Sequence, residues 1–407
     1  MTEERASTFA AFASRDFRLI WGGQTISFVG DAAFIVALGW RVTDLTGKAS
    51  SLGFALALES LAMLTTLLLG GVLADRYSRR LLMIGSDVVR AVIIGGFFVL
   101  DATGHLAFWM VLVLALLFGL ADGFFQPAFS GIVPLVVEQP MLASANSWLG
   151  ATRNGSAIVG PAIAAGLYGT AGPSLVWAID MCSFACSAIA LARARPRVVE
   201  RETKEETGML RELKEGFGYV MSVPWIWTGI GAATIILMFA MAPYTALLPR
   251  LVQSHYHRGV GSYGVLFSAM AAGTVLGSLV WARWHPRRRR VIICFASFGI
   301  NDIGIAVIAL SPWYALAIGA AVWRGFWIGV GIAAWVTLIN ELVPEHLLSR
   351  VFSFDYFGSM GLTPVGFSLA GAVATLVSPG LILTVGGLIG AGTWFVPLGW
   401  RKVREAT

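Results

Sequence analysis

Carboxyl and guanidinium groups set inside long apolar runs are the residues of this 407-residue chain whose types and spacing could do chemistry. Asp31 lies about fourteen residues into the run 17–41, roughly 20 Å along a helix axis and therefore near the middle of a bilayer. A carboxyl at that depth is expensive unless it has a role, and it can exchange a proton with its surroundings. If a cationic or polar substrate competes for the same carboxylate, exchange of proton for substrate follows. The alternative is a packing carboxyl hydrogen-bonded permanently to a neighbour. Glu59 and Asp122 are further candidates for a proton site, a substrate contact or a gate partner. Arg153 with Asp180, and Asp302 with Arg324, can meet at similar depths as buried charge pairs, which are more often structural. Asp87 and Arg90 stand one turn apart and are assigned to a charge cluster near the inner face.

The elements that must carry these groups are helices. Apolar runs fill 17–41, 51–74, 81–101, 105–128, 142–169, 173–193, 224–249, 260–284, 289–310, 313–340, 349–377 and 380–400. Most are far longer than strands, and a lipid-embedded backbone must satisfy its own N–H and C=O groups. Hydrophobic residues make up 57% of the chain and charged ones 13%. The expected fold is an all-α integral membrane protein of twelve spanning helices. The net charge of +6 could suggest nucleic acid, but its placement argues for topology instead. Most Lys and Arg fall before the first run, at 76–80, 193–214 and 283–290, and at the C-terminus. That asymmetry predicts cytoplasmic termini in a bacterial inner membrane.

The chain also repeats itself. Gly71-Val-Leu-Ala-Asp75-Arg76-Tyr-Ser-Arg79-Arg80 ends the second run, and Gly277-Ser-Leu-Val-Trp-Ala-Arg283 ends the eighth at nearly half a chain's offset. Leu135-Val-Val-Glu138 and Leu342-Val-Pro-Glu345 share almost the same offset. Duplication predicts two pseudo-symmetric six-helix bundles, 1–193 and 224–407, joined by a cytoplasmic linker at 194–223. Leu210, Leu213 and Phe217 recur at helical spacing, so the linker is expected to hold a short amphipathic helix lying on the membrane.

On these residues the chain resembles the major facilitator superfamily along essentially its whole length. The ten residues Gly71–Arg80 carry the loop 2–3 signature of that family. Asp16-Phe17-Arg18-Leu19, Gly30-Asp31, Leu45-Thr46-Gly47, Asn146, Asp180 beside Ser183-Phe184, and Arg350-Val351-Phe352 resemble the branch of bacterial macrolide, multidrug and enterobactin exporters. The resemblance implies that Asp75 faces the N-terminal end of the helix beginning near Ser349. Gly71 lets the second helix approach a neighbour closely, and Arg76, Arg79 and Arg80 can reach carboxylates or phosphates, together forming a cytoplasmic gate. Gly155, Gly160 and Pro161 partly match the helix-5 signature associated with antiporters, a thin and bendable hinge, although its closing double glycine is absent.

Other chemistries leave no trace. No phosphate-binding glycine loop occurs, and His105, His255, His257, His285 and His346 all fall in or beside loops, so neither a nucleotide cofactor nor a midplane histidine relay is expected. No metal site and no enzymatic constellation can be argued from spacing. Several of Phe34, Trp40, Trp148, Trp177, Phe239, Tyr244, Trp323 and Trp335 are expected to line a cavity for amphipathic molecules. The expected function is proton-driven efflux of amphipathic drugs or natural products by a monomer, powered by the proton gradient without a cofactor. The expected partners are a small-molecule substrate, protons and membrane lipids, with no nucleic acid. The alternative is transport of a lysophospholipid or a siderophore-type metabolite, and more remotely an intramembrane enzyme or sensor.

Overall fold

The computed structural model describes residues 9–197, 209–284, 286, 288–344 and 347–404, and these are helical with no strand among them. The helices are α1 (Arg15–Thr46), α2 (Ala49–Arg76), α3 (Arg79–Ala102), α4 (Phe108–Val136), α5 (Leu142–Ala171) and α6 (Pro173–Arg193). They continue with α7 (Met209–Ser222), α8 (Pro224–Ile236), α9 (Ala242–Ser254), α10 (Val260–Trp284), α11 (Arg290–Leu310) and α12 (Tyr314–Leu342). The chain ends with α13 (Leu348–Met360), α14 (Thr363–Val373), α15 (Pro379–Phe395) and the short α16 (Arg401–Arg404). Starts and stops follow local chemistry. The Ser14 hydroxyl accepts from the Phe17 N–H to cap α1, and Gly47 closes it in the left-handed conformation at φ 63°.

Two of the expected runs are interrupted, each beside a proline. A wide turn, Leu237–Met241, joins α8 to α9 just ahead of Pro243, whose missing N–H cannot continue the regular ladder. The run 349–377 divides at Gly361 and Leu362, where the ring of Pro364 crowds the preceding turn. Among the described residues, 10 helical segments are long and apolar enough to cross a membrane. Neither α5 nor the α13–α14 pair is among them. In α5, Asn146, Thr152, Arg153 and Asn154 lower the hydropathy, and α13 and α14 are each too short alone.

Packing divides the chain into two compact units, Met1–Gly47 with Leu58–Arg201, and Lys48–Ala57 with Glu202–Thr407. In the first unit α1 packs on α5 and α6, and α3 packs on α4 and α6. In the second, α11 packs on α12 and α15, and α10 packs on α12. Close crossings rely on glycine. A Cβ at Gly123 of α4 would lie 2.5 Å from the Met63 carbonyl oxygen of α2, and one at Gly273 of α10 would lie 2.8 Å from the Phe326 nitrogen of α12. The first turns of α2, counted in the second unit, approach α14 so closely that a Cβ at Gly53 would lie 2.7 Å from the Phe367 carbonyl oxygen.

The outward faces remain apolar: Val92 is 70% exposed and Leu310 66%, as expected where the surrounding medium is hydrocarbon and association gains nothing from covering leucine. The linker helix α7 forms and packs on α8 and α13 within the second unit. Glu215 pairs with Arg350 of α13 at 2.6 Å, Phe217 meets the Phe354 ring, and the Tyr219 hydroxyl donates to the Leu342 carbonyl at 3.3 Å. The side chains of Leu210 and Leu213 lie outside the described residues.

Candidate functional site

The densest group of charges in the first unit is built on α3, inside the helix packing. Asp87 and Arg90, one turn apart, are 0% and 2% exposed, and the Arg90 Nη2 donates to Asp87 Oδ1 at 2.6 Å. Arg90 Nη1 also reaches Asp122 Oδ1 of α4 at 3.2 Å, so one guanidinium bridges two carboxylates. The Ser187 hydroxyl of α6 donates to Asp87 Oδ2 at 2.6 Å and accepts from Gln24 Nε2 of α1 at 2.7 Å. Both Asp87 oxygens are therefore satisfied. The guanidinium carbon of Arg90 sits 4.2 Å from the Phe125 ring centre and 4.4 Å from that of Phe184, a cation between two apolar π faces. These two residues were expected in an interfacial cluster. Their burial makes them the structural centre of the site.

Asp31 borders this centre without joining it. It makes no hydrogen bond or ion pair among the described residues, while the charges acting on it are those of Arg90, Asp122, Asp87 and Arg153. Its neighbour Gly30 lets α6 come close: a Cβ there would lie 2.5 Å from the Ser183 hydroxyl and closer still to Asp180 Oδ1. Asp180 is fully buried, with Ser183 as its hydroxyl partner and Oδ2 unpartnered, and it feels the charge of Asp31. Glu59 of α2 feels the charges of Asp122 and Asp31. The interior of this unit thus gathers Asp31, Glu59, Asp87, Asp122 and Asp180 around the buried cation Arg90, with Arg153 exposed at its edge, a surplus of carboxyls over cations. Such a surplus is a place where protons can be held.

Among the described residues the expected charge pairs do not form. Arg153 is exposed and turned over the Phe28 ring at 5.7 Å, and its charge acts on Asp31 instead of pairing with Asp180. In the second unit Arg324 and Asp302 are both fully buried, yet no ion pair joins them among the described residues. The Arg324 guanidinium donates to the thioethers of Met270 at 2.8 Å and Met241 at 2.6 Å and lies 4.1 Å over the Tyr244 ring. Arg324 is near enough for its charge to act on Asp302, but in both pairs the guanidinium is turned to aromatic or sulfur neighbours.

Two arginines of the signature at 71–80 make contacts inside the first unit. Arg80 donates to the carbonyls of Leu191, at 2.7 Å, and of Ala192, which closes the last turn of α6 where no following N–H remains. Arg79 donates to the Gly131 carbonyl of α4 at 2.6 Å. These contacts of Arg79 and Arg80 are with backbone carbonyls. Arg76 is exposed. The close helix approach expected at Gly71 falls one residue earlier: a Cβ at Gly70 would lie 2.6 Å from the Gly123 carbonyl, whereas one at Gly71 would meet nothing within 4 Å. The side chains of Asp75 and Ser349 lie outside the described residues. In α5 the helix runs unbroken through Pro161; Gly160 packs on α1, where a Cβ would lie 2.5 Å from that of Ala32, while Gly155 meets nothing within 4 Å.

Sequence reasoning passed over Asp101, which accepts from Arg41 at 2.7 Å and from Ser174 at 3.0 Å, tying together the ends of α1, α3 and α6. It also passed over Asp355, which accepts from the Trp335 indole at 3.0 Å. Of the aromatics expected around a cavity, Phe34 and Trp177 are packed core, stacked on Phe118 and Phe97, Trp323 faces outward, and Phe239 lines an apolar pocket between α9, α14 and α15. Trp335 does line a cavity, between α8, α11, α12, α13 and α15.

Relatives carry the reading further. The chain is 26% identical over 387 residues to macrolide efflux protein A of Streptococcus pyogenes, spanning 93% of this chain and 91% of that one. It is 24% identical over 379 residues to the enterobactin exporter EntS of Citrobacter koseri, spanning 91% and 88%. Its fold matches a bacterial homologue of the iron transporter ferroportin in an inward-facing state, with a TM-score of 0.73, 14% identity and coverage of 94% and 98%. It matches the nucleoside transporter NupG equally well, at a TM-score of 0.73, 12% identity and coverage of 95% and 99%. The family model of the Major Facilitator Superfamily matches residues 20–354. The chain therefore belongs to the major facilitator superfamily and is a multi-pass membrane protein that moves small solutes as a secondary transporter, not an enzyme.

Proposed function

We propose that the protein exports amphipathic drugs or natural products in exchange for protons. The observation that carries this reading is the carboxyl surplus of the first unit, with Asp31 unpaired beside the Asp87–Arg90–Asp122 network. A fixed ion pair holds its charge; an unpaired carboxyl next to it can trade a proton for a cation without breaking the fold. In this reading Glu59 and Asp122 serve as secondary proton or substrate contacts. Gly71, Asp75, Arg76, Arg79 and Arg80 form the inner gate, and Gly155, Gly160 and Pro161 form a hinge. Twelve spans in two six-helix bundles, 1–193 and 224–407 with a linker at 194–223, rock about a central site in a bacterial inner membrane. Both termini are cytoplasmic, the working unit is a monomer, and no nucleic acid takes part. The names of the relatives support macrolides as a first substrate class. The match to an enterobactin exporter supports a second reading, export of a siderophore-type metabolite.

An efflux panel in cells lacking other pumps separates these outcomes. Expression is expected to lower intracellular macrolide several-fold, and a protonophore is expected to restore accumulation. Export that ignores the protonophore would remove proton coupling. Export of a catecholate siderophore but no macrolide would favour the second reading.

A further inference from the structure

The first unit holds two adjoining hollows on its surface. One is an open apolar groove of about 660 Å³ between α2, α3 and α4, with Leu73, Leu81, Gly85, Val89, Val92 and Leu120 in its walls. Along α3 it runs from Leu81 to Ile93, twelve residues on, or roughly 18 Å of helical rise. That is close to the hydrocarbon thickness of one leaflet, half of about 30 Å. Gly85 packs against nothing: a Cβ there would find no atom within 4 Å. A glycine inside a helix weakens it, so the room it leaves serves the groove and not a helix crossing. The second hollow, of about 640 Å³, begins where the groove ends. Leu73 belongs to one and Ala74 to the other, and likewise Leu81 and Arg80.

The walls of this second hollow are basic. Arg76, Arg79 and Arg80 come from the turn between α2 and α3, and Arg195 and Arg197 from the chain just beyond α6. Arg79 and Arg80 spend N–H groups on carbonyls, whereas Arg76, Arg195 and Arg197 are exposed. The acids around it are fewer. Asp16 accepts from the Arg195 backbone N–H at 3.1 Å, and Glu138 stands 3.5 Å from Arg197. Even with Asp75 of the same turn counted beside them, three acids against five arginines leave a surplus of two positive charges. The N-terminus of α3 opens here too. Ser78 lines the hollow and its side chain makes no cap, so the first N–H groups of α3 lack that acceptor.

We propose that the two hollows together bind one acidic phospholipid. Its phosphate sits among Arg76, Arg195, Arg197 and the start of α3, and one acyl chain lies along the groove. Each half of the ligand answers a different observation. A soluble phosphate would leave the groove uncovered, and a lipid without net charge would leave the arginine surplus in place. A leaflet-long apolar slot that ends at a basic hollow puts the arginines where hydrocarbon gives way to headgroups. The lipid is a resident ligand of the first unit and not cargo, so the inference goes beyond the exporter reading and does not depend on it.

Native mass spectrometry of the purified full chain tests it, with phosphatidylglycerol and phosphatidylcholine of identical acyl chains as probes. The acidic lipid is expected to bind its first site about 10-fold or more tighter than the choline lipid. Arg195→Gln with Arg197→Gln is expected to weaken the acidic lipid by about 5-fold for each arginine and to leave the choline lipid unchanged. Gly85→Leu fills the groove and is expected to weaken both lipids alike, which keeps their ratio. All three positions are exposed, so these variants leave the helix packing intact. Inorganic phosphate in excess is expected to displace neither lipid. Equal affinity of the two lipids, an unchanged ratio in the double arginine variant, or undiminished binding to Gly85→Leu would each overturn the proposal. Displacement by inorganic phosphate would assign the basic hollow to a soluble anion and overturn it as well.

Discussion

Replacing Asp31 with asparagine is expected to abolish efflux driven by a pH gradient while leaving the protein folded. Asparagine keeps the shape of the side chain but cannot take up and return a proton. Asp31 makes no hydrogen bond or ion pair among the described residues, so removing its charge orphans no partner. Arg90 keeps Asp87 and Asp122. One proton moved through one pH unit contributes about 1.4 kcal/mol, so substrate accumulation across such a gradient is expected to fall by about tenfold per coupled proton. Passive exchange of labelled substrate should persist. Transport into everted vesicles under an imposed pH gradient measures the effect, and an undiminished rate with Asp31→Asn would remove this residue from the mechanism.

Asp87→Ala is expected to act on stability instead. Its two oxygens hold Arg90 and Ser187, and Ser187 in turn holds Gln24 of α1, so its loss strips α3 of polar contacts to the rest of the unit. Removing one partner of a buried pair costs about 3–5 kcal/mol, because the remaining charge stays desolvated. Arg90 would keep only the longer 3.2 Å contact to Asp122, itself 19% exposed. Unfolding in detergent should show a large fall in midpoint for Asp87→Ala. The double variant Asp87→Ala with Arg90→Leu should recover part of it, since the guanidinium is no longer left desolvated without Asp87 and only the partly exposed Asp122 loses a partner. A single variant as stable as the parent, within about 1 kcal/mol, would mean that the pair does not support the packing.

How far these roles could be read in the sequence depends on what each inference required. Depth within an apolar run needs only counting, and it singled out Asp31, Glu59 and Asp122. Glycine beside a buried polar group is also a local signal: Gly30 next to Asp31 accompanies the approach of Asp180 and Ser183. The burial of Asp87 and Arg90 was not legible, because counting from the end of their run says nothing of what packs over them. Their burial is set by Asp122 and Ser187, which come from other helices and leave no mark in the periodicity of α3. The one-turn spacing of opposite charges inside an apolar run was the available clue.

Partner choice was less legible than depth. Arg324 and Asp302 share a layer, yet the thioethers of Met241 and Met270 and the Tyr244 ring take the guanidinium. Composition could not separate Trp177, a core residue, from Trp335, a cavity wall. The interruptions before Pro243 and Pro364 were legible in principle, since each proline sits inside an otherwise continuous apolar run. Asp101 and Arg41 escaped notice because each stands at the end of its run, where a solvated charge is the ordinary outcome.

Proton release on substrate binding tests the central claim most directly. Purified protein in weakly buffered detergent, with a pH-sensitive dye, is mixed with a macrolide at neutral pH. Displacement of a proton from the first unit's carboxyl group should release up to about one proton per molecule bound, and Asp31→Asn should bind the macrolide without release. Tight binding by the unaltered protein with no proton released at any pH between 5 and 8 would contradict proton exchange at this site.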